Sequence, residues 1–588
     1  MIKIPTSLKD ALDNNSLIFF RKPIFYYGGE NGGKVNSTYF FYKRLIESKK
    51  IIEEYNNSKK EFQLMVFIPK FSILQSNFFD EFMYNNDLFK VVQKAKNDKE
   101  LLNYFLSARF SEKQKKVLNA VLNYHTEPIV VRSSALNEDM ANASFAGIFY
   151  SLFLPNNKDT NTKLFDLENA IKFIYFSLFS SDAKEYASLN KLIMSDQKMS
   201  IIIQDVAGRY YYYKNRELFF PTFSFVAFSF NDYPIDVNKN EGFYKISFGL
   251  GEGIVQINKQ TALSIDLAKP NPPMGIYTQK DFFKLPTNFY ALDLSKNFDL
   301  NMENLKLLEI KNNVPFEIYS KHCIFYDEKN GEFKNSVLVV DDYTPYLRFE
   351  KLTATISSPL NYIIKNLLDL AKKDFSFEVD IEGGGDIIQH NNKNILIFYP
   401  FQARPQIRNS ISSRLDFLPN INKDQIVLKS KNAIGKGGYE LNAIVLFDLN
   451  LNLFLYSKDA ANELNEINSY LKEINKKYFL VVPGRLGTSD PVIGIPARFS
   501  SISFAGAIAE KIISQNVNSS QGSHFYEQIV GSQIAYLSFE NKNSLNLNLI
   551  EKNSYQKIKK EFSAIYLLKN NLKLLLDKFG NCILFFDE

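Results

Sequence analysis

Three clusters of residues in this chain have the types and spacing to do chemistry. Residues 129–147 read IVVRSSALNEDMANASFAG, in which Ile129, Val130 and Val131 form a short apolar β-run and Arg132 leaves its end. An arginine there aims a planar donor fork at whatever fills the adjoining cleft, and Ser133, Ser134, Asn137 and Ser144 add neutral hydrogen-bonding groups. Residues 26–34 read YYGGENGGK, with four glycines, Gly32 and Gly33 among them, before Lys34. Glycines let backbone N–H groups approach an anion closely, and the lysine ends the loop as a point charge. Val35 stands where a Walker A loop needs Ser or Thr, so this is not that loop. The third cluster is FEVDIE at 377–382. Alternation of Phe377, Val379 and Ile381 with Glu378, Asp380 and Glu382 would put three carboxylates on one face of a strand. Such crowding is tolerable in solvent or beside a divalent cation, and Mg²⁺ prefers one or two carboxylates plus phosphate oxygens. After a Gly- and Asn-rich turn, a second apolar run at 395–401 leads to Gln402 and Arg404, which share a face. The two runs read as a hairpin whose polar faces meet, with Pro400 marking a bulge or an unpaired edge.

The elements that must position these clusters are legible in outline. A helix is expected at 35–50 after the glycine loop, and two helices at 100–123 before the Arg132 strand. MSIIIQ at 199–204 reads as a central strand ending in Gln204, with 205–208 as a short hinge. At 247–255, SFGLGEGIV supplies a tight turn through Gly249, Gly251 and Gly253 and an acceptor in Glu252. Residues 210–345 are rich in aromatic and short β-runs, with an irregular turn at 270–273. A helix at 351–373 feeds the acidic hairpin.

The nineteen-residue string resembles the VRSS-A-x-ED-x-x-x-ASFAG signature of the ATP-binding domain shared by phosphoenolpyruvate synthases, pyruvate phosphate dikinases, glucan water dikinases and rifampin phosphotransferases. The glycine loop ending in Lys34, the GLGE turn, Asp380-Ile381-Glu382 and QARP at 402–405 resemble further parts of the same site. The resemblance covers roughly 25–407. It implies an α+β protein in which an ATP-grasp domain clamps ATP between antiparallel sheets, followed by a smaller C-terminal α/β domain. Residues 1–208 and 209–410 would be the two parts of the nucleotide domain and 411–588 the remainder. The resemblance also implies roles. Gly32, Gly33 and Lys34 would contact phosphates, Gln204 and Glu252 the nucleoside end, and Arg132 and Arg404 the transferring phosphoryl group. Glu382 and Gln402 would ligate Mg²⁺ with support from Asp380. One departure stands out: nineteen residues separate Glu382 from Gln402, which implies a longer hairpin loop and leaves the register of the pair open.

Characterised dikinases carry a phosphohistidine in a Gly-Gly-x-Thr-[SC]-His motif, and no such motif occurs here. Of the four histidines, His125, His322 and His390 fall in segments assigned to the nucleotide domain, which leaves His524 as the candidate carrier. VPGRLGTSDPVIGIPAR at 482–498 and SSQGSHF at 519–525 resemble the C-terminal part of uncharacterised bacterial phosphoenolpyruvate synthase-like proteins. Gly484, Arg485, Gly487, Thr488, Ser489 and Asp490 there form a polar loop suited either to an anion or to a simple capped turn. The stretch after 411 is too short for a barrel of ~250 residues that would bind phosphoenolpyruvate or pyruvate.

Composition bounds the partners. The chain has 588 residues, 45% hydrophobic and 23% charged, which suits two to four ordinary folded domains. A net charge of +6 without a basic block does not imply nucleic-acid binding, and no nucleic-acid partner is expected. No apolar run approaches a membrane span, and the start MIKIPTSLKD is unlike a signal peptide, so a cytoplasmic location with no membrane partner is expected. Two cysteines and four histidines exclude a disulfide framework and a Cys/His zinc site. The expected ligands are ATP and Mg²⁺, with a small-molecule or protein phosphoacceptor, and oligomeric state stays open. The function expected is ATP-dependent phosphoryl transfer; the alternative is an ATP-binding regulatory or scaffold protein that has lost the chemistry.

Overall fold

The apolar run at 129–131 begins the strand Ile129–Ala135, which lies in a five-stranded sheet between Met199–Asp205 and Ser151–Leu154. Phe71–Leu74 and Ile24–Tyr26 complete this sheet, and only its outermost pair is parallel. The computed structural model of the chain describes residues 2–58, 61–136, 138, 148–189, 197–230, 242–255, 261–338, 341–406, 414–431, 433–488, 491–512, 524–539 and 545–587.

A seven-stranded sheet faces the first across a cleft. Its order runs Ala262–Asp266, Phe243–Phe248, Phe223–Phe228, Val379–His390, Lys393–Pro405, Phe62–Phe67 and Ile18–Phe19, antiparallel through the fifth strand and parallel beyond it. Strands from both sides of residue 208 therefore share this sheet. The expected acidic hairpin is present, but its length comes from the strands and not from a long loop. Val379–His390 and Lys393–Pro405 pair down to a tight turn at Asn391 and Asn392, both with positive φ, a conformation that asparagine tolerates better than most residues. Gly383, Gly384 and Gly385, expected in the turn, lie within the strand. A Cβ at Gly383 or Gly385 would stand 2.6 or 2.4 Å from the ring atoms of Phe225 or Phe223, so the glycines let those rings lie across the strand.

The helix Pro359–Phe375 packs on this hairpin. It buries Leu360, Ile363, Ile364, Leu367, Leu368 and Ala371, the i, i+3, i+4, i+7, i+8 spacing of a core-facing stripe. Each buried Leu or Ile stabilises the packing by about 1.5–3 kcal/mol. The helix expected at 351–373 is interrupted because Pro359 disfavours helical backbone at Ser358 and itself takes the first helical position. Likewise 35–50 divides into Gly33–Lys43 and Leu45–Asn57 at Arg44, whose guanidinium turns back to Asp374.

Residues 426–586 build a separate nine-stranded sheet. Its centre is the parallel set Gly438–Phe447, Tyr478–Pro483, Ala505–Lys511 and Ala535–Phe539, with the helix Leu453–Glu473 crossing between the first two. Antiparallel strands, including Ser563–Leu576 and Cys582–Phe586, extend it. The helix Ser181–Leu189 packs against this part: Tyr186 meets the Phe499 ring edge-on at 5.6 Å, and Glu185 pairs with Lys472 at 2.7 Å. Among the described residues no helix is long and apolar enough to cross a membrane.

Candidate functional site

The cleft between the two sheets holds about 1150 Å³ of space not filled by protein atoms, counting the part open to solvent. One wall is the face of the five-stranded sheet that carries Val130, Arg132, Ser151, Phe153 and Gln204. The other carries Ser224, Val226, Glu382, Gln402 and Arg404. Arg132 spans the gap. Its Nη2 donates to Gln402 Oε1 at 2.8 Å and lies 3.7 Å from Glu382 Oε2, while Nη1 lies 3.5 Å from Gln204 Oε1.

The register left open by the sequence is settled by the hairpin. Glu382 stands directly opposite Gln402 and Asp380 opposite Arg404. Between Glu382 and Gly383 the pairing slips by one residue, so Phe401 is the extra residue of a bulge and lines the cleft. Pro400, two residues beyond the last pairing with Phe62–Phe67, thus sits where its missing N–H costs no ladder bond on that side. Arg404 Nε donates to both Asp380 oxygens at 2.8 and 3.1 Å, and its Nη2 reaches Glu382 Oε1 at 4.0 Å. Glu382 is therefore flanked by two guanidiniums that offset its charge. Glu378 does not join this face. It precedes the strand and is bound by Ser229 at 2.6 Å and Lys372 at 3.0 Å, while Phe377 is exposed. The three-carboxylate face is a two-carboxylate face.

The glycine loop docks on the end of the Arg132 strand. A Cβ at Gly32 would lie 1.9 Å from the Ser134 carbonyl oxygen, so only glycine permits this approach. Gly33 then begins the helix Gly33–Lys43, whose Val35 N–H donates to Ser134 Oγ at 3.0 Å. Lys34 Nζ pairs with Glu138 at 2.7 Å and donates to Ser133 Oγ at 3.3 Å, at the rim of the same cleft. Five segments distant in sequence thus converge on one space: the loop, the Arg132 strand, Gln204, the GLGE turn and the hairpin.

Residues 42–272 match the family model described as pyruvate phosphate dikinase, AMP/ATP-binding domain. This segment is a nucleotide-binding domain of the pyruvate phosphate dikinase type. The match covers less than half of the chain and includes Arg132, Gln204 and Glu252 but neither Lys34 nor the hairpin. Lys34 and the hairpin residues Glu382, Gln402 and Arg404 line the same cleft as the matched residues. No curated protein shows significant similarity to the chain.

Gln204 lines the cleft, and its Nε2 is buried with no hydrogen-bond partner among the described residues. The hinge after it is partly committed: Asp205 N–H donates to Lys70 O and Val206 N–H to Pro128 O. Val130, Phe149, Phe153, Val206, Phe225 and Leu250 supply apolar wall at this end, a slot suited to a flat base. Glu252 begins the short helix Glu252–Val255 and lines the cleft. Among the described residues no group of three or more His, Cys, Asp or Glu side chains could hold a metal. Oxygen donors for a hard cation are nevertheless adjacent in Glu382 and Gln402, whereas Asp380 is engaged by Arg404.

Sequence reading missed several supports. Glu138, the partner of Lys34, also accepts from the Ala135 N–H at 3.0 Å and so ties the lysine to the strand end. Asp386, fully buried, accepts from Arg209, Thr222 and Tyr399 and locks the far side of the hairpin. His125 lies between Asp205 (Nδ1 to Oδ1, 2.6 Å) and Ser72 (Nε2 to Oγ, 3.0 Å). This Ser-His-Asp arrangement is not a nucleophilic site, because Ser72 and His125 are wholly buried; it orients Asp205 at the cleft edge. Glu138 stood in the signature-like string without an assigned role, whereas Asp386 and His125 carried no distinguishing signal in the sequence.

In the C-terminal part, the expected polar loop follows the strand Tyr478–Pro483. Arg485 is buried near Glu510, which accepts from the Leu486 N–H at 2.9 Å and the Tyr536 hydroxyl at 2.6 Å. Ser489, Asp490 and residues 519–523 lie outside the described residues, as do Asn137 and Ser144. His524 begins the helix His524–Gly531, and its side chain is likewise outside what is described. A Cβ at Gly487 would stand 2.3 Å from the Phe525 ring, so the two unexplained strings are neighbours in space.

Proposed function

We propose that the protein binds Mg·ATP in the inter-sheet cleft and transfers a phosphoryl group from it to an acceptor. The observation that carries this reading is the meeting of Arg132 from one sheet with Glu382, Gln402 and Arg404 from the other. Cations suited to phosphate stand beside hard oxygen donors, with an apolar slot in the same cleft. Phosphoryl transfer needs little covalent help, so positioning and charge neutralisation supply most of the catalysis.

In this reading Lys34 and the glycine loop hold the outer phosphates, and Arg132 and Arg404 turn from Glu382 toward the transferring group. Glu382 and Gln402 are the residues that would hold Mg²⁺, which when bound neutralises charge developing on the phosphate oxygens. Asp380 keeps Arg404 in its plane and acts on the metal side only through that arginine. Because dikinase-type chemistry hands phosphate to a histidine, His524 is the proposed carrier, beside the loop at Gly487. Phosphorus NMR of the full chain with Mg·ATP tests the reading. AMP plus phosphate would support dikinase chemistry and ADP a simpler kinase or ATPase; absence of turnover would overturn the proposal in favour of a binding module.

A further inference from the structure

Glu382 and Gln402 stand directly opposite each other in the hairpin, and the two guanidiniums that reach them are held in different ways. Arg404 Nε donates to both oxygens of Asp380, at 2.8 and 3.1 Å, on the neighbouring strand of its own sheet. Two hydrogen bonds to a carboxylate fix that guanidinium in place. Arg132, from the opposite sheet, is held by neutral amides instead. Its Nη2 donates to Gln402 Oε1 at 2.8 Å, and its Nη1 lies 3.5 Å from Gln204 Oε1. Hydrogen bonds to a neutral acceptor are roughly half as strong as those to an ionised one, and Glu382 Oε2, at 3.7 Å, lies beyond hydrogen-bond distance. Arg132 is therefore the guanidinium that changes partners at the smaller cost.

Where it stands, Arg132 opposes a divalent cation in two ways. It takes up the Gln402 oxygen that a hard cation would use. It also sets a positive charge against Glu382, so a dication between those two side chains would meet a like charge at close range, in a cleft where both residues are largely shielded from water. Phosphate oxygens reverse both effects. They attract a guanidinium more strongly than an amide oxygen does, and a guanidinium drawn toward them releases Gln402 Oε1 and uncovers Glu382. Arg404, 4.0 Å from Glu382 and tied to Asp380, then remains as the single neighbouring positive charge among the described residues.

We propose that Arg132 is a latch on the metal position: it closes the Glu382–Gln402 pair to divalent cations until the outer phosphates of a nucleotide draw its guanidinium away. Metal and nucleotide then bind with positive coupling, and the metal does not settle on the hairpin ahead of its nucleotide. The inference rests on the reading of the cleft as a Mg·ATP site and adds the regulation of that site. Such coupling is reciprocal, so the metal favours the nucleotide by the same factor.

Mn²⁺ is a suitable probe, because its paramagnetic resonance measures the free ion during a titration of the full chain and needs no turnover. Without nucleotide, Arg132→Met should bind Mn²⁺ at least about tenfold more tightly than the wild type, the effect expected from removing one like charge at close range. Adding Glu382→Gln to Arg132→Met should abolish the gained site. Arg132→Lys keeps the charge and should stay close to the wild type. If Arg132→Met fails to fold, Arg132→Gln, which keeps a hydrogen-bonding group beside Gln402 and loses the charge, should show the same gain. The latch is refuted if the folded, uncharged variants bind Mn²⁺ no more tightly than the wild type. A gained site that survives Glu382→Gln would overturn the hairpin as the metal position and the latch with it. The two failures are told apart in the complex with a non-hydrolysable ATP analogue: if Glu382→Gln alone weakens Mn²⁺ there while Arg132→Met gains nothing without nucleotide, the metal reading stands and the latch falls.

Discussion

Replacing Arg132 separates its charge from its shape. In the structure its Nη2 donates to Gln402 Oε1 at 2.8 Å while Nη1 faces Gln204 Oε1 at 3.5 Å, so one guanidinium serves two partners on opposite sides of the cleft. A charge-assisted contact to phosphate contributes roughly 1.5–3 kcal/mol. Nucleotide binding must exchange part of the existing Gln402 and Glu382 contacts, so the lower end applies: about 1.5 kcal/mol, or roughly tenfold in affinity, for Arg132→Met. Arg132→Lys keeps the charge but has one nitrogen in place of a fork, and its loss should be smaller, about threefold. Calorimetry with Mg·ATP, or with a non-hydrolysable analogue if turnover intervenes, measures both. Without nucleotide, removal of Arg132 leaves Glu382, among the described residues, with Arg404 at 4.0 Å as its one cationic partner. Because Glu382 is partly exposed, the stability cost should stay near 1 kcal/mol. Wild-type affinity in Arg132→Met, with the fold intact by thermal denaturation, would refute the assignment of the phosphate end of the cleft.

Glu382→Gln and Gln402→Ala should leave nucleotide binding within a few fold of wild type yet abolish turnover and its Mg²⁺ dependence; an unchanged Mg²⁺ titration counts against the hairpin as the metal site. His524→Ala should remove acid-labile, base-stable label that the protein acquires from ATP labelled on the β-phosphate, and label persisting in the variant would place the carrier elsewhere. Stability should also depend on His322. Its folded value lies near 4, below the ordinary 6.5, so the unfolded chain binds the extra proton and stability is lost as pH falls from about 6.5 towards 4. That loss reaches about 2 kcal/mol at pH 5, and urea denaturation at pH 7 and 5 should show it in the wild type but not in His322→Gln; equal slopes in the two proteins would contradict the buried neutral ring.

Local physics made much of the nucleotide domain legible in the chain itself. An apolar run followed by arginine read as a strand with a cation at its end, whereas the strand continues to Ala135 and carries Arg132 in its interior. The alternation at 377–382 followed by the apolar run at 395–401 read as a hairpin, which Val379–His390 and Lys393–Pro405 form. The glycine loop read as backbone placed close to an anion; what Gly32 approaches in the structure is the Ser134 carbonyl, which a Cβ would meet at 1.9 Å. What alternation could not say is where a strand begins, so Glu378 was placed on a face that it never joins. Nor could composition say that three glycines lie inside a strand, because the reason is two phenylalanine rings from a neighbouring strand more than 150 residues earlier. The opposition of Glu382 to Gln402 depends on a bulge at Phe401 and a turn at Asn391 and Asn392, which are properties of the paired hairpin and of neither strand alone. The family match covers 42–272 only. Lys34, Arg132, Gln204, Glu252 and the hairpin become one site because two sheets close on each other, and burial of apolar faces contributed by residues far apart in the chain is what brings them together.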